Sequence, residues 1–391
     1  MSCERTITSI VARERSMGGA RRRVGVCVAA AVVAAIVLSS FLVSAAGAGA
    51  VIWSIQRMPV PAGATSTVLH GVSCTSPDAC TAVGGPDGRP GIMLAERWNG
   101  SRWTIQRTPR PAESILSFLD GVSCVSAWSC VAVGFVVDRA GADAVLTMRW
   151  DGSSWSMVRI AKPAGSIESV LESVSCTSQT ACTAVGSSAD RSGVWFTLVE
   201  RWNGSRWSVQ PTPRSPYSEL LGVSCGSAHA CTAVGGSADG SELMEHWSAG
   251  RWLTGHSLDL TMPESGLNAV SCMSATACTA VGEEVVPSTA VWPLLASWND
   301  YRWSVQPLRG QPLGVVYGVS CTSRTTCTAV GADSLVEAMN GTRWTLERAP
   351  DPEQSNLFGV SCAGRICVAV GSWIDVSGWE APLVESTIAR G

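Results

Sequence analysis

Short apolar runs alternate with polar, turn-rich stretches from Leu69 to the C-terminus. In residues 69–109, the run 69–74 (LHGVSC) precedes the polar TSPDA, and 80–84 (CTAVG) precedes GPDGRPG. The run 92–98 then meets Asn99-Gly100-Ser101-Arg102, and 103–108 follows, closed by Pro109 and Pro111. Each run is too short for a helix, and no apolar period of 3.6 residues is sustained. Asn-Gly between apolar runs signals a tight hairpin, because both residues tolerate positive φ. The pattern predicts four antiparallel strands in one unit.

The unit recurs. SCTSPDACTAVG at Ser73 returns at Ser123, Ser175, Ser224, Ser271 and Ser320, and in shortened form (SCAGRICVAVG) at Ser361. Successive first cysteines are 41 to 52 residues apart. Four short strands repeated at about this spacing describe the blade of a β-propeller. A β-solenoid is the rival architecture, but its coils are usually shorter and its ends need caps. The last unit supplies three strands, and VIWSIQRMPVPAG at Val51 matches the fourth strand elsewhere (RWTIQRTPRPA at Arg102). Residues 51–59 are therefore expected beside 381–387, completing the last sheet and leaving no bare edge. The expected fold is all-β: a seven-bladed propeller over 51–391.

Fourteen cysteines fall into pairs, one per unit: Cys74/Cys80, Cys124/Cys130, Cys176/Cys182, Cys225/Cys231, Cys272/Cys278, Cys321/Cys327 and Cys362/Cys367. A tight hairpin brings such partners within bonding range, and CxxC or His ligands for a metal are missing from the pattern. One disulfide per blade is expected, with no metal and no cofactor. Trp flanks the third turn in Trp98/Trp103, Trp150/Trp155, Trp202/Trp207, Trp247/Trp252 and Trp298/Trp303, and Met339 faces Trp344. Recurrence at one position favours an outer staple over sugar stacking. Glu recurs two residues before the first Trp position as Glu96, Glu200, Glu245 and Glu337, and as Glu385 in the last blade. Five copies read as structural groups paired with Arg or backbone.

Composition changes the picture mainly at the N-terminus. Residues 1–50 hold six Arg and two Glu, which leaves 22 basic against 29 acidic groups in the rest. A mildly acidic body whose single Lys is Lys162 does not suit nucleic acid. Arg21, Arg22 and Arg23 precede the uncharged run 24–43 and the small-residue stretch SAAGAGA. This reads as a signal peptide, with Met17 an alternative start. The run is also long enough for an uncleaved anchor. Both readings put the body in an extracytoplasmic, oxidising space, secreted or at the cell surface, as disulfides require. The membrane is then met only through an uncleaved N-terminal segment, and the body is expected to be a monomer.

At these residues the chain resembles secreted bacterial β-propellers. WNGSRW at Trp98 and WDGSSW at Trp150 resemble the Asp-box hairpin of sialidase-type propellers. The Ala-Val-Gly ending the second strand resembles the repeats of photosystem II stability factor-like propellers. Two departures stand out: Asn99 or Asp151 lies four rather than five positions before the Trp, and the cysteine pairs are additional. In those families the Asp box is structural, so the resemblance implies a fold and not an activity.

No chemical motif emerges. GxSxG, a P-loop and a dinucleotide fingerprint are missing from the sequence. Tyr217, Tyr301 and Tyr317 lack a distinctive context, as do His70, His229, His246 and His256. The sequons at Asn99, Asn203 and Asn340 share the third turn, whose geometry explains them. Binding is expected on the variable loops joining strands two to three and four to one. Their candidate residues are Asp87, Arg89, Asp138, Arg139, Asp190, Arg191, Trp195, Glu283, Glu284, Trp292, Trp373 and Trp379. The first expectation is a non-catalytic binding propeller for a protein or glycan of the cell envelope. The second is a glycan hydrolase at the channel mouth, which clustered carboxylates and Arg there would favour.

Overall fold

The computed structural model describes residues 51–61, 66–85, 93–112, 114–213, 215–255, 258, 260, 264–286, 290–299, 302–306, 314–350, 352, 354–374 and 378–388. Residues 1–50, and with them the expected leader or anchor at 24–43, lie outside this set. Val51–Ala389 forms one compact unit. It contains seven four-stranded antiparallel sheets, each with its strands in simple meander order. Blade 1 comprises Val68–Ser76, Ala79–Gly85, Leu94–Trp98 and Trp103–Ile105. The expected boundaries differ mainly in strand four, which leaves its ladder at Ile105 rather than Thr108.

The two ends of the unit meet in blade 7. Ser355–Ala363, Ile366–Ile374 and Glu380–Ile388 are joined by Ile52–Ile55. The register sets Trp53 opposite Thr387 and Ile55 opposite Glu385. Trp53 is 3% exposed and packs in one cluster with Leu383, Val330 and Val336. The seam between first and last blades is equally filled: Leu69, Ala82 and Leu94 of blade 1 pack on Val368, Val370 and Val384 of blade 7. The chain therefore forms a ring of sheets, not an open stack.

Three repeated features explain the recurrent letters of the unit. The first is the serine of Val-Ser-Cys. Its Oγ accepts the backbone N–H of the cysteine in the next blade, at 2.8–3.0 Å, in all seven seams. The last of these, Ser361 to Cys74, closes the circle at 2.9 Å. The second is the glycine of Ala-Val-Gly. A bulge in the first strand swings a carbonyl over it, so a Cβ on Gly186 would lie 2.2 Å from the Val170 oxygen. The same collision recurs at Gly84, Gly134, Gly235, Gly282, Gly331 and Gly371.

The third feature is the cysteine pair. Cys74–Cys80, Cys124–Cys130, Cys176–Cys182, Cys225–Cys231, Cys272–Cys278, Cys321–Cys327 and Cys362–Cys367 each form a disulfide across the first hairpin, with Cα atoms 3.9–4.0 Å apart. These bridges do more than tie their own hairpins. The second-strand sulfur also meets the preceding blade. Thr81 Oγ1 lies 3.7 Å from Cys130 Sγ, and Thr183, Thr232 and Thr279 stand at the same distance from Cys231, Cys278 and Cys327. Thr328 reaches Cys367 at 3.5 Å. In the two remaining seams a valine takes the threonine's place. Val368 packs in one cluster with Cys80, and Val131 in one with Cys182.

The tryptophans are the outer staple. Their rings stand opposite one another across strands three and four, with centroids 5.6–5.8 Å apart. Such pairs add roughly 0.5–1.5 kcal/mol each beyond area burial. The preceding Arg reaches into the next blade: Arg97 stacks on Trp150 at 4.6 Å, Arg149 on Trp202 at 5.3 Å and Arg201 on Trp247 at 4.4 Å. At the third turn Asn99 Oδ1 accepts the N–H groups of Ser101 and Arg102, while Gly100 sits at φ +89°. Asp151 does the same in blade 2, and those hydrogen bonds hold its carboxyl down at about 2.

The recurrent glutamates correct an expectation. Those arginines go to tryptophan and carbonyl groups, not to the glutamates. Glu96, Glu200 and Glu337 are fully buried, and neither carboxyl oxygen of any of them has a hydrogen-bond partner among the described residues. Glu245 accepts one hydrogen bond, from Thr197 of the neighbouring blade at 3.1 Å. Burial raises the carboxyls to about 8 for Glu96 and Glu200, and to about 7 for Glu245 and Glu337. A carboxyl kept dry is more stable protonated, because the neutral form loses less hydration.

Candidate binding site at the channel mouth

Within the stretch that runs from the buried Leu or Val of the first strand to its cysteine, one position changes in every blade. The residue after the buried Leu or Val of the first strand is His70, Asp120, Glu172, Leu221, Asn268, Tyr317 and Phe358 in blades 1 to 7. In every blade the pairing register shifts across this residue, as between Leu69 and Gly71. It is thus the extra residue of a β-bulge, which frees its side chain from the ladder and re-aims it. The bulge lies near the start of strand one in blade 1, where Leu69 pairs with Gly84, and at mid-strand in the longer blades 2 and 3, where Leu119 pairs with Gly134 and Leu171 with Gly186. The seven bulge residues therefore share one level of the inner strands, on the variable-loop side of the serine rungs.

Contacts between neighbours show the ring. His70 Nδ1 meets Asp120 Oδ1 at 2.9 Å, with the Asp120 side chain only 9% exposed. On its other side His70 meets Phe358 edge-on at 5.4 Å, and Phe358 lies 5.3 Å from Tyr317. His70 also stacks on Phe118 at 6.3 Å, and Phe118 on Phe135 at 5.7 Å. One aromatic band thus runs through blades 6, 7, 1 and 2. The opposite arc is acidic. Burial raises the Glu172 carboxyl well above its ordinary value, helped by the charges of Asp120, Glu219 and Asp143. Asp143 is 2% exposed, and burial with the neighbouring Glu168 and Asp138 raises it to about 6. Asn268 completes the ring by donating to Glu283 at 2.6 Å and to the Val316 carbonyl at 3.0 Å.

Lys and Arg occupy none of the seven ring positions. Of the two features that would favour a hydrolase, clustered carboxylates are present, and the ring itself supplies no Arg. Among the described residues no group of three or more His, Cys, Asp and Glu is arranged to hold a metal. Among the same residues no helix is long and apolar enough to cross a membrane.

The disulfides stand apart from this site. Cys74 pairs with Cys80 beside the hairpin turn, at the far end of the ladder from the bulge after Leu69. Cys80, Cys231, Cys278 and Cys327 are buried and Cys367 is half-buried, all five against a neighbouring blade. They are scaffold residues and lend no surface to the mouth. The same holds for Cys130 and Cys182, which are buried in their own seams.

The residues expected on variable loops fall into four groups among the described residues, and Asp138, Asp190, Trp195, Glu283, Glu284, Trp292 and Trp373 belong to strands instead, because the second and third strands run on past the expected turns. Arg139, Arg191 and Trp379 are exposed, the last at 53%. Asp138 and Asp190 shape their own turns: Asp138 Oδ1 accepts the N–H of Ala140 and Ala142, and Asp190 Oδ1 those of Ser192 and Val194. Trp195 and Trp373 are half-buried, against the Phe118 cluster and the blade 6–7 seam respectively. Glu284 and Trp292 are half-buried partners across strands two and three of blade 5. Glu283 is 2% exposed and faces Asn268, so it supports the ring from behind. Asp87, Arg89, His256 and Tyr301 lie outside the described residues.

Sequence reading missed the ring. Its only signal was heterogeneity: a letter that changes in every blade, two positions ahead of the Val of Val-Ser-Cys.

No family model matches the chain, and no curated protein does. Solved structures match its fold. A YCF48 structure bound to a D1 peptide shares 13% identity, covering 86% of this chain and 97% of that one, with a TM-score of 0.55. YCF48 from Cyanidioschyzon merolae shares 14%, covering 85% and 98%, with a TM-score of 0.53. The WD40 propeller domain of Doa1 shares 11%, covering 86% and 97%, with a TM-score of 0.56. At these identities the likeness is one of fold: this chain is a β-propeller.

Proposed function

We propose that this propeller is a non-catalytic binding protein of an extracytoplasmic space. It recognises a protein or glycan of the cell envelope through the variable-loop face. The observation that carries the reading is where the repeats differ. Disulfides, serine rungs, glycines and Trp staples recur around the ring, while the mouth and its loops change from blade to blade. A uniform scaffold bearing one non-uniform face is the usual design of a recognition surface. Seven disulfides suit a non-reducing compartment. The YCF48 structure holding a peptide supports the use of such a scaffold for peptide recognition, but fold alone does not fix function.

The test is capture from envelope fractions by the purified protein, repeated with Arg139→Ala, Arg191→Ala and Trp379→Ala. A specific ligand retained by the native protein and lost in the loop variants is the expected result. Retention by every variant sinks the loop-face reading. Glycoside cleavage in a parallel substrate screen would move the conclusion to the hydrolase.

A further inference from the structure

The binding reading leaves the chemistry of the ligand open, and the ring narrows it. Its acidic arc holds Asp120 and Glu172 on successive blades, within electrostatic reach of Glu219 on the next blade and of Asp143. Two observations separate this arc from an ordinary solvated patch. The Asp143 Oδ1 is buried without a hydrogen-bond partner, in a residue that is 2% exposed and lies within electrostatic reach of Glu172. The Asp120 Oδ2 is likewise buried without a hydrogen-bond partner, its Oδ1 being held by His70. Buried carboxylate oxygens are ordinarily satisfied, and like charges crowded together raise the cost of ionising any one of them. A cation placed among them answers both demands. Beside the arc, the half-exposed rings of His70, Tyr317 and Phe358 offer aromatic surface, and a guanidinium or ammonium is attracted to such ring faces as well.

We propose that the channel mouth receives an arginine or lysine side chain from an extended segment of a partner protein, with the charge on the acidic arc and its apolar neighbour on the aromatic band. Glu172 is the central contact, and Asp120, positioned by His70, is the second. Arginine suits the site better than lysine, because its planar fork can meet two carboxylates while its face stacks on a ring. The inference rests on the binding reading above and gives that reading its ligand class.

The experiment uses the whole purified protein and two synthetic peptides, acetyl-Gly-Phe-Arg-Gly-amide and the same sequence with citrulline for arginine. Citrulline keeps the shape and removes the charge. Calorimetric titration at low and at physiological salt is expected to show the arginine peptide binding at least tenfold more tightly than the citrulline peptide. The difference should shrink as salt rises. Glu172→Gln is expected to abolish that preference, and Glu172→Asp to retain part of it, with melting temperatures of both variants measured alongside. Equal affinity for the two peptides, no binding of either, or a preference that survives in folded Glu172→Gln overturns the proposal. Should Glu172→Gln fail to fold, the peptide pair on the native protein decides the matter alone. If the peptides fail while the loop variants still lose an envelope ligand, this inference falls and the binding reading stands.

Discussion

Each serine of Val-Ser-Cys carries one strut of the ring, so a single residue type explains why neighbouring blades share a level. Removing one strut leaves a backbone N–H in the inner wall without its acceptor. Ser123→Ala, which strips the acceptor from the part-buried Cys176 N–H, is expected to cost about 1 kcal/mol, the low end of the range for orphaning a donor. Urea unfolding with an unchanged m-value and a lowered midpoint would show it; an unchanged midpoint would mean water replaces the hydroxyl at no cost. The same scale shows why the Ala-Val-Gly glycine recurs: any side chain there collides with a carbonyl of its own blade. Sequence displayed both residues seven times over without giving either reason, because their partners lie on another strand or another blade.

Between neighbouring blades lie the buried glutamates, whose behaviour belongs to the strands that carry them. In the unfolded chain they ionise near 4.5; in the folded one Glu96 and Glu200 hold their proton to about 8, and Glu245 and Glu337 to about 7. Between these limits the folded state binds more protons than the unfolded one, so stability falls as pH rises. Their contribution is fully present below about 4.5, and the loss is complete once pH passes the folded values. Were each of the four carboxyls raised by no more than about one pH unit, the total would still be roughly 5 kcal/mol across that window. Chemical denaturation at pH 5 and pH 9 is expected to show lower stability at pH 9, and Glu96→Gln with Glu200→Gln should flatten the dependence. A flat profile in the native protein would contradict the dry, protonated seams. The third-strand glutamate was visible as a repeat, and repetition correctly marked it as structural. Its burial without Arg was not legible, since Arg97 and Arg201 sit next to it in sequence yet point to the other face of the strand, as alternation requires.

For the molecule as a whole, closure and cross-linking decide stability. A disulfide around so short a loop contributes about 2 kcal/mol in the chain-entropy model, and seven of them are large beside the typical net stability of about 5–15 kcal/mol. Reductant is therefore expected to lower the melting temperature far more than any exposed-loop substitution, and calorimetry with and without dithiothreitol checks it. An unmoved transition would show that the serine rungs and seam packing suffice alone. The number of blades, their four strands, the cysteine pairing and the strand exchanged between the chain's ends were all written in the sequence. Each follows from local turn chemistry or from simple repetition, which a linear reading can detect. The acidic and aromatic arcs of the channel mouth were decided only in three dimensions. Their members stand about fifty residues apart, one to a blade, and become neighbours because a bulge and a closed circle turn seven isolated letters inward.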